Sequence, residues 1–387
     1  MTPTVDDVLT DELLTRIRDR ADGYDRENRF FDEDLAELRA AGYLRALVPE
    51  AQGGLGWSLA DAVRAQSRLA GAAPATALGV NMHLVWTAVA KILADRGDDV
   101  LAFLQREAAA DEVFAFGISE GGNDLMLFGS RSEARPQDDG GYRFHGRKIF
   151  TSLSPAWTRL GTMALDTRSA DGPKIVYAFI DREDPDVSSL DDWDTIGMRA
   201  SQSRTTVLDG AYAPADRVVR RLDPGPNADP FVFGIFAAFE LLLAAVYTGI
   251  GARALDLAVA AAHRRTSMKF DGRPLAHDPD IRHRVASAAI AQDALAPQLA
   301  ALAHDVDALA DHGPLWFPKL SGMKVRATET ARIVVDQAVR VAGGSSYFAG
   351  NELGRLSRDV VAGIFHPSDD ESAHATVANA WLGPLPS

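Results

Sequence analysis

One carboxylate of this chain stands where carboxylates are rare. Glu240 lies inside FVFGIFAAFELLLAAVYTGIGA, residues 231 to 252. Within a helix surrounded by apolar side chains such a group must find a partner or keep its proton, and burial raises its pKa toward the range of a base working at neutral pH. The structural alternative is an ion pair with an arginine of another helix. His366, in Ile364-Phe365-His366-Pro367-Ser368, is the second candidate, because an imidazole titrates near neutral pH unaided. Its alternative is an inert loop histidine, and Asp369, Asp370 and Glu371 beside it read as a solvated acidic loop. Gly249-Ile-Gly251-Ala-Arg-Ala254 matches a dinucleotide fingerprint, with Asp271 twenty residues beyond Gly251. That motif needs a strand before it, whereas Leu241 to Tyr247 is rich in Leu and Ala, so two glycines in a close-packed helix are expected. The sequence has no P-loop or HExxH motif. His263, His277 and His283 sit at no ligand spacing and cysteine is absent, so no metal site is predicted.

The elements around these residues fall into three blocks, an α+β arrangement with no alternating βα pattern. Residues 1–112 read as an N-terminal helical domain. Asp32 is placed to cap a helix ending near Gly42, Ser58 and Asp61 form a capping box, and His83 and Trp86 lie in a third helix. Residues 113–225 alternate apolar and polar side chains, with a hairpin signal at Asp139-Gly140-Gly141 and an end at Pro214, which predicts a β domain. Residues 226–387 return to long Ala- and Leu-rich helices near 231–263, 280–308 and 316–342.

Composition narrows the partners. With 54 acidic against 40 basic side chains the net charge is -14, which disfavours nucleic acid and anionic lipid. The absence of cysteine fits a reducing compartment, and MTPTVDDVLTDELL lacks the basic, apolar pattern of an export signal, so a cytoplasmic protein is expected. Phe231 to Ala252 is long enough to span a bilayer, but Glu240 near its middle argues for a helix buried in protein, with no second span to shelter the charge.

Five segments in order resemble the acyl-CoA dehydrogenase superfamily over nearly the whole chain. They are Val48-Pro49-Glu50 with QGGLG, FAFGISEGGNDL at 114–125, GYRFHGRKIFTSLSPAWT, IGMRASQSRTTVLDGAYAPADRVV, and RVAGGSSY with ELGRLSRD. The resemblance implies that the β domain is barrel-like and that the C-terminal helices form a four-helix bundle. It also implies FAD, or secondarily FMN, in a site of backbone donors, hydroxyls and an aromatic wall. It puts Phe116, Ile118 and Ser119 along the ring, Phe150 where a tryptophan is usual, and Ser152 near N5. Ser368 also falls among the cofactor contacts. Gly343 and Gly344 would meet the adenine half from a neighbouring subunit, with Arg340 where a glutamine is common, which implies a homo-oligomer, tetramer or dimer. Asn123 and Phe365 are the implied substrate contacts. SEGGND is two residues shorter than the family's thioester-gripping segment, and Arg264 and Arg265 in RRTSMKFDGRPL come earlier than its pyrophosphate-binding arginine.

His366 occupies the place of the family's catalytic glutamate, and Glu240 adjoins the position on the central helix where some members keep it instead. Dehydrogenation of an acyl-CoA or acyl-carrier thioester, with His366 or Glu240 as base and an electron-transfer flavoprotein as acceptor, is placed first. A flavin-dependent monooxygenase or N-oxygenase supplied by a flavin reductase is the alternative, favoured by the missing glutamate and the shortened loop. A non-catalytic flavin- or CoA-binding relative has no positive feature in its favour.

Overall fold

The computed structural model describes residues 2–385. Helices come first: α1 (Val5–Val8), α2 (Asp11–Glu27), α3 (Asp32–Ala40), α4 (Leu59–Ala72), α5 (Pro74–Ala94) and α6 (Ala102–Ala109). Helix α4 starts on the predicted Ser58–Asp61 capping box, in which each side chain accepts from the other residue's backbone N–H. Helix α3 differs from expectation, since Asp32 is its first residue and caps nothing. The acid that matters there is Asp34, turned inward to accept from Arg20 at 2.7 Å and from Thr76 at 2.8 Å. Gly42 follows α3 at φ +81°, the left-handed conformation that a glycine adopts most cheaply.

Strands β1 (Phe114–Gly117), β2 (Glu133–Pro136), β3 (Tyr142–Thr151), β4 (Arg159–Asp166), β5 (Lys174–Asp181), β6 (Val187–Ser189), β7 (Arg204–Ala213) and β8 (Val218–Leu222) follow. They form one mixed sheet in the order β6-β7-β3-β2-β4-β5-β8, with β1 parallel to β4. The Asp139-Gly140-Gly141 signal makes the β2–β3 turn, in which Gln137 N–H donates to Gly141 at 2.9 Å. Two side chains of α5 fasten the helices to this sheet. His83 accepts from Phe114 N–H through Nδ1 at 3.1 Å and meets the Leu44 carbonyl through Nε2 at 2.7 Å. Burial holds its pKa down at about 4, so it stays neutral and structural. Trp86 Nε1 donates to the Ala115 carbonyl at 2.9 Å.

The rest is helical: α7 (Pro230–Arg264), a two-residue ladder of β9 (Thr266–Ser267) with β10 (Arg273–Pro274), α8 (Pro279–Asp293), α9 (Leu295–Asp307), α10 (Trp316–Ala342), α11 (Glu352–Asp359) and α12 (Asp370–Leu382). The single helix expected near 280–308 is two, broken at Ala294, because Pro297 in the first turn of α9 has no N–H to return to α8. Helix α7 packs against α10 on one side and against α4 and α5 on the other, so the bundle expected after residue 226 is completed by the N-terminal helices.

Gly249 and Gly251 sit inside α7 and serve that packing. A Cβ at Gly249 would lie 2.2 Å from the Ser67 carbonyl of α4, and one at Gly251 2.2 Å from Gln292 Oε1 of α8. Among the described residues three stretches, not one, are long and apolar enough to cross a membrane: Pro74–Ala94, Pro230–Arg264 and Pro279–Asp307. In the first two, 89% of the most apolar window is buried within the fold, against 28% in the third. Packing against other helices therefore accounts for the apolarity around Glu240. Gly249→Ala should force α4 from α7 and destabilise the protein by about 3 kcal/mol. In thermal unfolding this would appear as a fall in Tm of roughly 4 °C.

Candidate active site

Helix α7, the sheet and the loop after α11 enclose two adjoining cavities of about 420 and 460 Å³. They share Phe116, Ser119, Phe150, Phe239, Phe365 and Pro367 as common walls. Phe116 of β1 stacks on Phe239 of α7 with ring centroids 5.3 Å apart, which joins the β domain to the central helix at this point.

Glu240 lines the first cavity and is 1% exposed. Its Oε1 accepts from the Ser368 hydroxyl at 2.7 Å, and its Oε2 has no hydrogen-bond partner. Burial raises its pKa to about 7, against the pull of Ser368 and of the Lys324 charge. The arginine ion pair considered for Glu240 is not formed, since the nearby cation is Lys324 of α10. Lys324 is 1% exposed and donates to three carbonyls of one loop, Gly363 at 3.0 Å, His366 at 2.9 Å and Ser368 at 2.8 Å. Burial lowers its own pKa.

His366 lines the second cavity, and its Nε2 lies 2.9 Å from the Tyr247 hydroxyl. Burial, helped by the Lys324 charge, pushes its pKa down to about 3, so the ring is neutral at physiological pH. Tyr247 is fully buried with its pKa raised, so it keeps its proton. With Tyr247 donating to Nε2, the imidazole proton resides on Nδ1.

A bulge shapes the opposite wall. The β3–β7 register shifts between Lys148 and Thr151, and Phe150 between them has φ +57°, a left-handed conformation that costs a non-glycine residue energy. Phe150 is thereby turned out of the strand into both cavities, edge-on to Trp193 with centroids 6.1 Å apart. Next to it Ser152 Oγ pairs with Ser203 Oγ at 2.7 Å, and Ser203 with Ser201 at 2.8 Å.

The expected site residues divide. Phe116, Ile118, Ser119, Phe150, Asn123 and Phe365 line the first cavity, and Ser152 and His366 the second. The amide of Asn123 is engaged within its own loop, donating to Gly129 at 2.9 Å and accepting from Leu125 N–H at 3.1 Å. Ser368 lines neither cavity, because Lys324 draws its loop inward and its hydroxyl is directed to Glu240 and Ser321. Arg340 is exposed on α10 and pairs with Asp336 at 2.7 Å. Gly343 and Gly344 also stand away from the cavities of their own subunit, Gly343 at φ +68° beneath the guanidinium of Arg265. Sequence reasoning missed Lys324, Tyr247 and Trp193. Lys324 left one trace, a charge on the same helical face as Leu320, Ala327 and Ala331. Asp369 caps α12 by accepting from Ser372 N–H at 2.9 Å, and Glu371 lines the first cavity, so neither belongs to an idle acidic loop.

The second cavity suits a flat heteroaromatic ring: Phe150 and Trp193 supply an apolar wall, and Ser119, Ser152 and Ser203 supply hydroxyls. Residues 4–99 match the family model for the acyl-CoA dehydrogenase N-terminal domain and residues 241–370 that for its C-terminal domain. An amino sugar nitrososynthase of Streptomyces rubradiris, RubN8, is 30% identical over 376 residues, covering 92% of this chain and 84% of that one. The structure of KijD3 in complex with FMN and dTDP-3-amino-2,3,6-trideoxy-4-keto-3-methyl-D-glucose superposes with a TM-score of 0.86 at 28% identity, over 99% of this chain and 94% of that one. Butyryl-CoA dehydrogenase from Megasphaera elsdenii shares the fold, with a TM-score of 0.82 at 19% identity over 99% of each chain. Motif order, architecture and these likenesses agree, and the chain belongs to the acyl-CoA dehydrogenase superfamily as a flavin-dependent oxidoreductase.

Proposed function

We propose that this chain is a flavin-dependent monooxygenase that transfers one oxygen atom to the nitrogen of an amine. The observation that carries the reading is Glu240, a buried carboxylate in the wall of the first cavity, with one oxygen that has no hydrogen-bond partner and a pKa of about 7. An amine arrives at neutral pH as an ammonium ion, which has no lone pair. A carboxylate poised near pH 7 can hold that cation and accept its proton. Bound reduced flavin supplies the electron pair for an overall change that balances as RNH2 + O2 + reduced flavin → RNHOH + H2O + oxidised flavin.

In this reading the flavin ring occupies the cavity lined by Ser152, Trp193 and His366, and the substrate occupies the one lined by Glu240. His366 is a neutral donor: its Nδ1–H offers a hydrogen bond without placing a second cation beside Lys324. The phenylalanines shared by the two cavities exclude water from between the reactants. The likeness to RubN8 and to KijD3, a nitrososynthase and a protein solved with FMN and an amino sugar nucleotide, supports this choice. A flavin reductase would be the electron source.

Thioester dehydrogenation remains the second reading, because the same Glu240 could remove an α-proton. The loop that would grip the thioester is closed on itself: Glu120 is paired with Lys148, and Asn123 is bonded to Gly129. The two readings part in one experiment. Protein loaded with reduced flavin and exposed to O2 should form a hydroxylamine from a primary amine, and anaerobic acyl-CoA should leave bound oxidised flavin unbleached. Bleaching by an acyl-CoA without oxygenation of any amine would reverse the assignment.

Glu240→Gln should lower the oxygenation rate about 100-fold. The wild-type rate should rise with pH through about 7 as Glu240 loses its proton, and the variant should lack that limb. The same group makes a prediction about stability. Its pKa is raised on folding from 4.5, so between about 4.5 and 7 the unfolded chain has lost a proton that the native state retains, and Glu240 costs increasing stability as pH rises. His366, depressed on folding, acts in the opposite sense but is common to both proteins. Relative to wild type, Glu240→Gln should therefore gain on the order of 2 to 3 kcal/mol between pH 4.5 and 7.5, measured by thermal unfolding across that range.

A further inference from the structure

The cavity that holds Glu240 carries charge of one sign. Asp124, Asp369 and Glu371 line it with Glu240, and neither lysine nor arginine does so among the described residues. A further acid, Glu120, is compensated by Lys148. Lys324 lies behind the wall, with its ammonium turned to three loop carbonyls. The N-terminus of α12, where backbone N–H groups could have received a phosphate, is occupied by its own acids: Asp369 caps it, and Asp370 and Glu371 fill its first turn. At the inner end Glu240 is 1% exposed, and its Oε2 lacks a partner. Between these ends the walls are apolar, with Phe116, Phe128, Phe236 and Phe239 among them.

We infer that the substrate is a phosphate-free primary amine with an apolar or aromatic body, bound with its ammonium at Glu240, and that nucleotide-linked sugars and coenzyme A thioesters are refused. This rests on the N-oxygenation reading and specifies its substrate class. Phosphates approaching the mouth would meet Asp124, Asp369 and Glu371 with no cation to receive them, whereas an ammonium ion is attracted along the same path toward Glu240.

Flavin-loaded oxidised protein should be titrated by calorimetry with phenethylamine, with phenylacetate as its anionic counterpart, and with dTDP and butyryl-CoA. Phenethylamine is expected to bind at least about tenfold tighter than phenylacetate and to weaken as salt is added, while dTDP and butyryl-CoA give no heat. Glu371→Gln combined with Asp124→Asn changes two exposed side chains, and flavin content reports that the fold is kept. This variant should bind phenethylamine about five- to tenfold more weakly. Binding of dTDP or butyryl-CoA as tight as that of phenethylamine, or amine affinity indifferent to both salt and the double substitution, would overturn the inference. Oxygenation of a nucleotide-linked amine without binding of phenethylamine overturns the substrate class alone. Binding of phenethylamine with no hydroxylamine formed under reductase and O2 overturns N-oxygenation and leaves the ammonium site standing.

Discussion

Lys324 is an ammonium ion inside a helical core, and the geometry of the site follows from how its burial is compensated. An unpaired buried charge would cost several kcal/mol, and here the compensation is three carbonyl oxygens of the loop 363–368. Those bonds pull the loop onto α10 and fix where each of its side chains can go. Ser368 is drawn inward until its hydroxyl reaches Glu240, and His366 is set against Tyr247. Phe365 is left 69% exposed at the meeting of the two cavities. The same positive charge holds down the pKa of His366 and opposes the rise in that of Glu240. One lysine thus sets the position of the loop and biases both titrating groups.

A second buried pair does comparable work on the other side of the cavity. Lys148 of β3 is completely buried and pairs with Glu120, which also accepts from the Ser130 and Ser132 hydroxyls and from Arg131 N–H. These bonds close the loop 120–129 into a fixed wall, to which Asn123 adds its own cross-links. Just past Lys148 the strand bulges and Phe150 is forced into its positive-φ conformation. The bulge is a local cost that a paired, fully buried lysine next to it is well placed to sustain, because the strand cannot slip without exposing Lys148.

What the sequence disclosed was mostly local. The Ser58–Asp61 box, the Asp139-Gly140-Gly141 turn and the helical nature of the Gly249–Gly251 segment depend on residues within a turn or two of one another. Glu240 was conspicuous because its neighbours in sequence are apolar, but its partner Ser368 lies 128 residues away and has no motif linking it to α7. Tyr247 and His366 are likewise 119 residues apart. Resemblance placed Phe116, Ser119 and Phe150 at the cavity, since the backbone path of the β domain sets their positions. Ser368 lines neither cavity, because the direction of that side chain depends on Lys324, a residue of another helix. The acidic character of the cavity was hidden for a related reason: Asp124, Glu240, Asp369 and Glu371 come from three separate stretches of chain and become one wall only on folding.

Desolvation acts on Glu240 and His366 in opposite directions, and both shifts favour the uncharged form. Environments that push the pKa values of neighbouring groups apart assign acid and base roles, and here the rule extends to the substrate. An ammonium ion entering beside Glu240 would form an ion pair in a cavity walled by phenylalanine, where low polarity disfavours both charges. Passing the proton from nitrogen to Oε2 replaces that pair with a neutral acid and a neutral amine, the arrangement such a cavity tolerates best. On the proposed reading the acids at the mouth would attract the cation while it is still partly hydrated, and the apolar interior would then favour its deprotonation. An amine that has lost its proton has recovered the lone pair that oxygen transfer requires. In the proposed N-oxygenation, the sequence of an acidic entrance, an apolar interior and an unpaired carboxylate oxygen would let one cavity both collect an ammonium ion and turn it into a nucleophile.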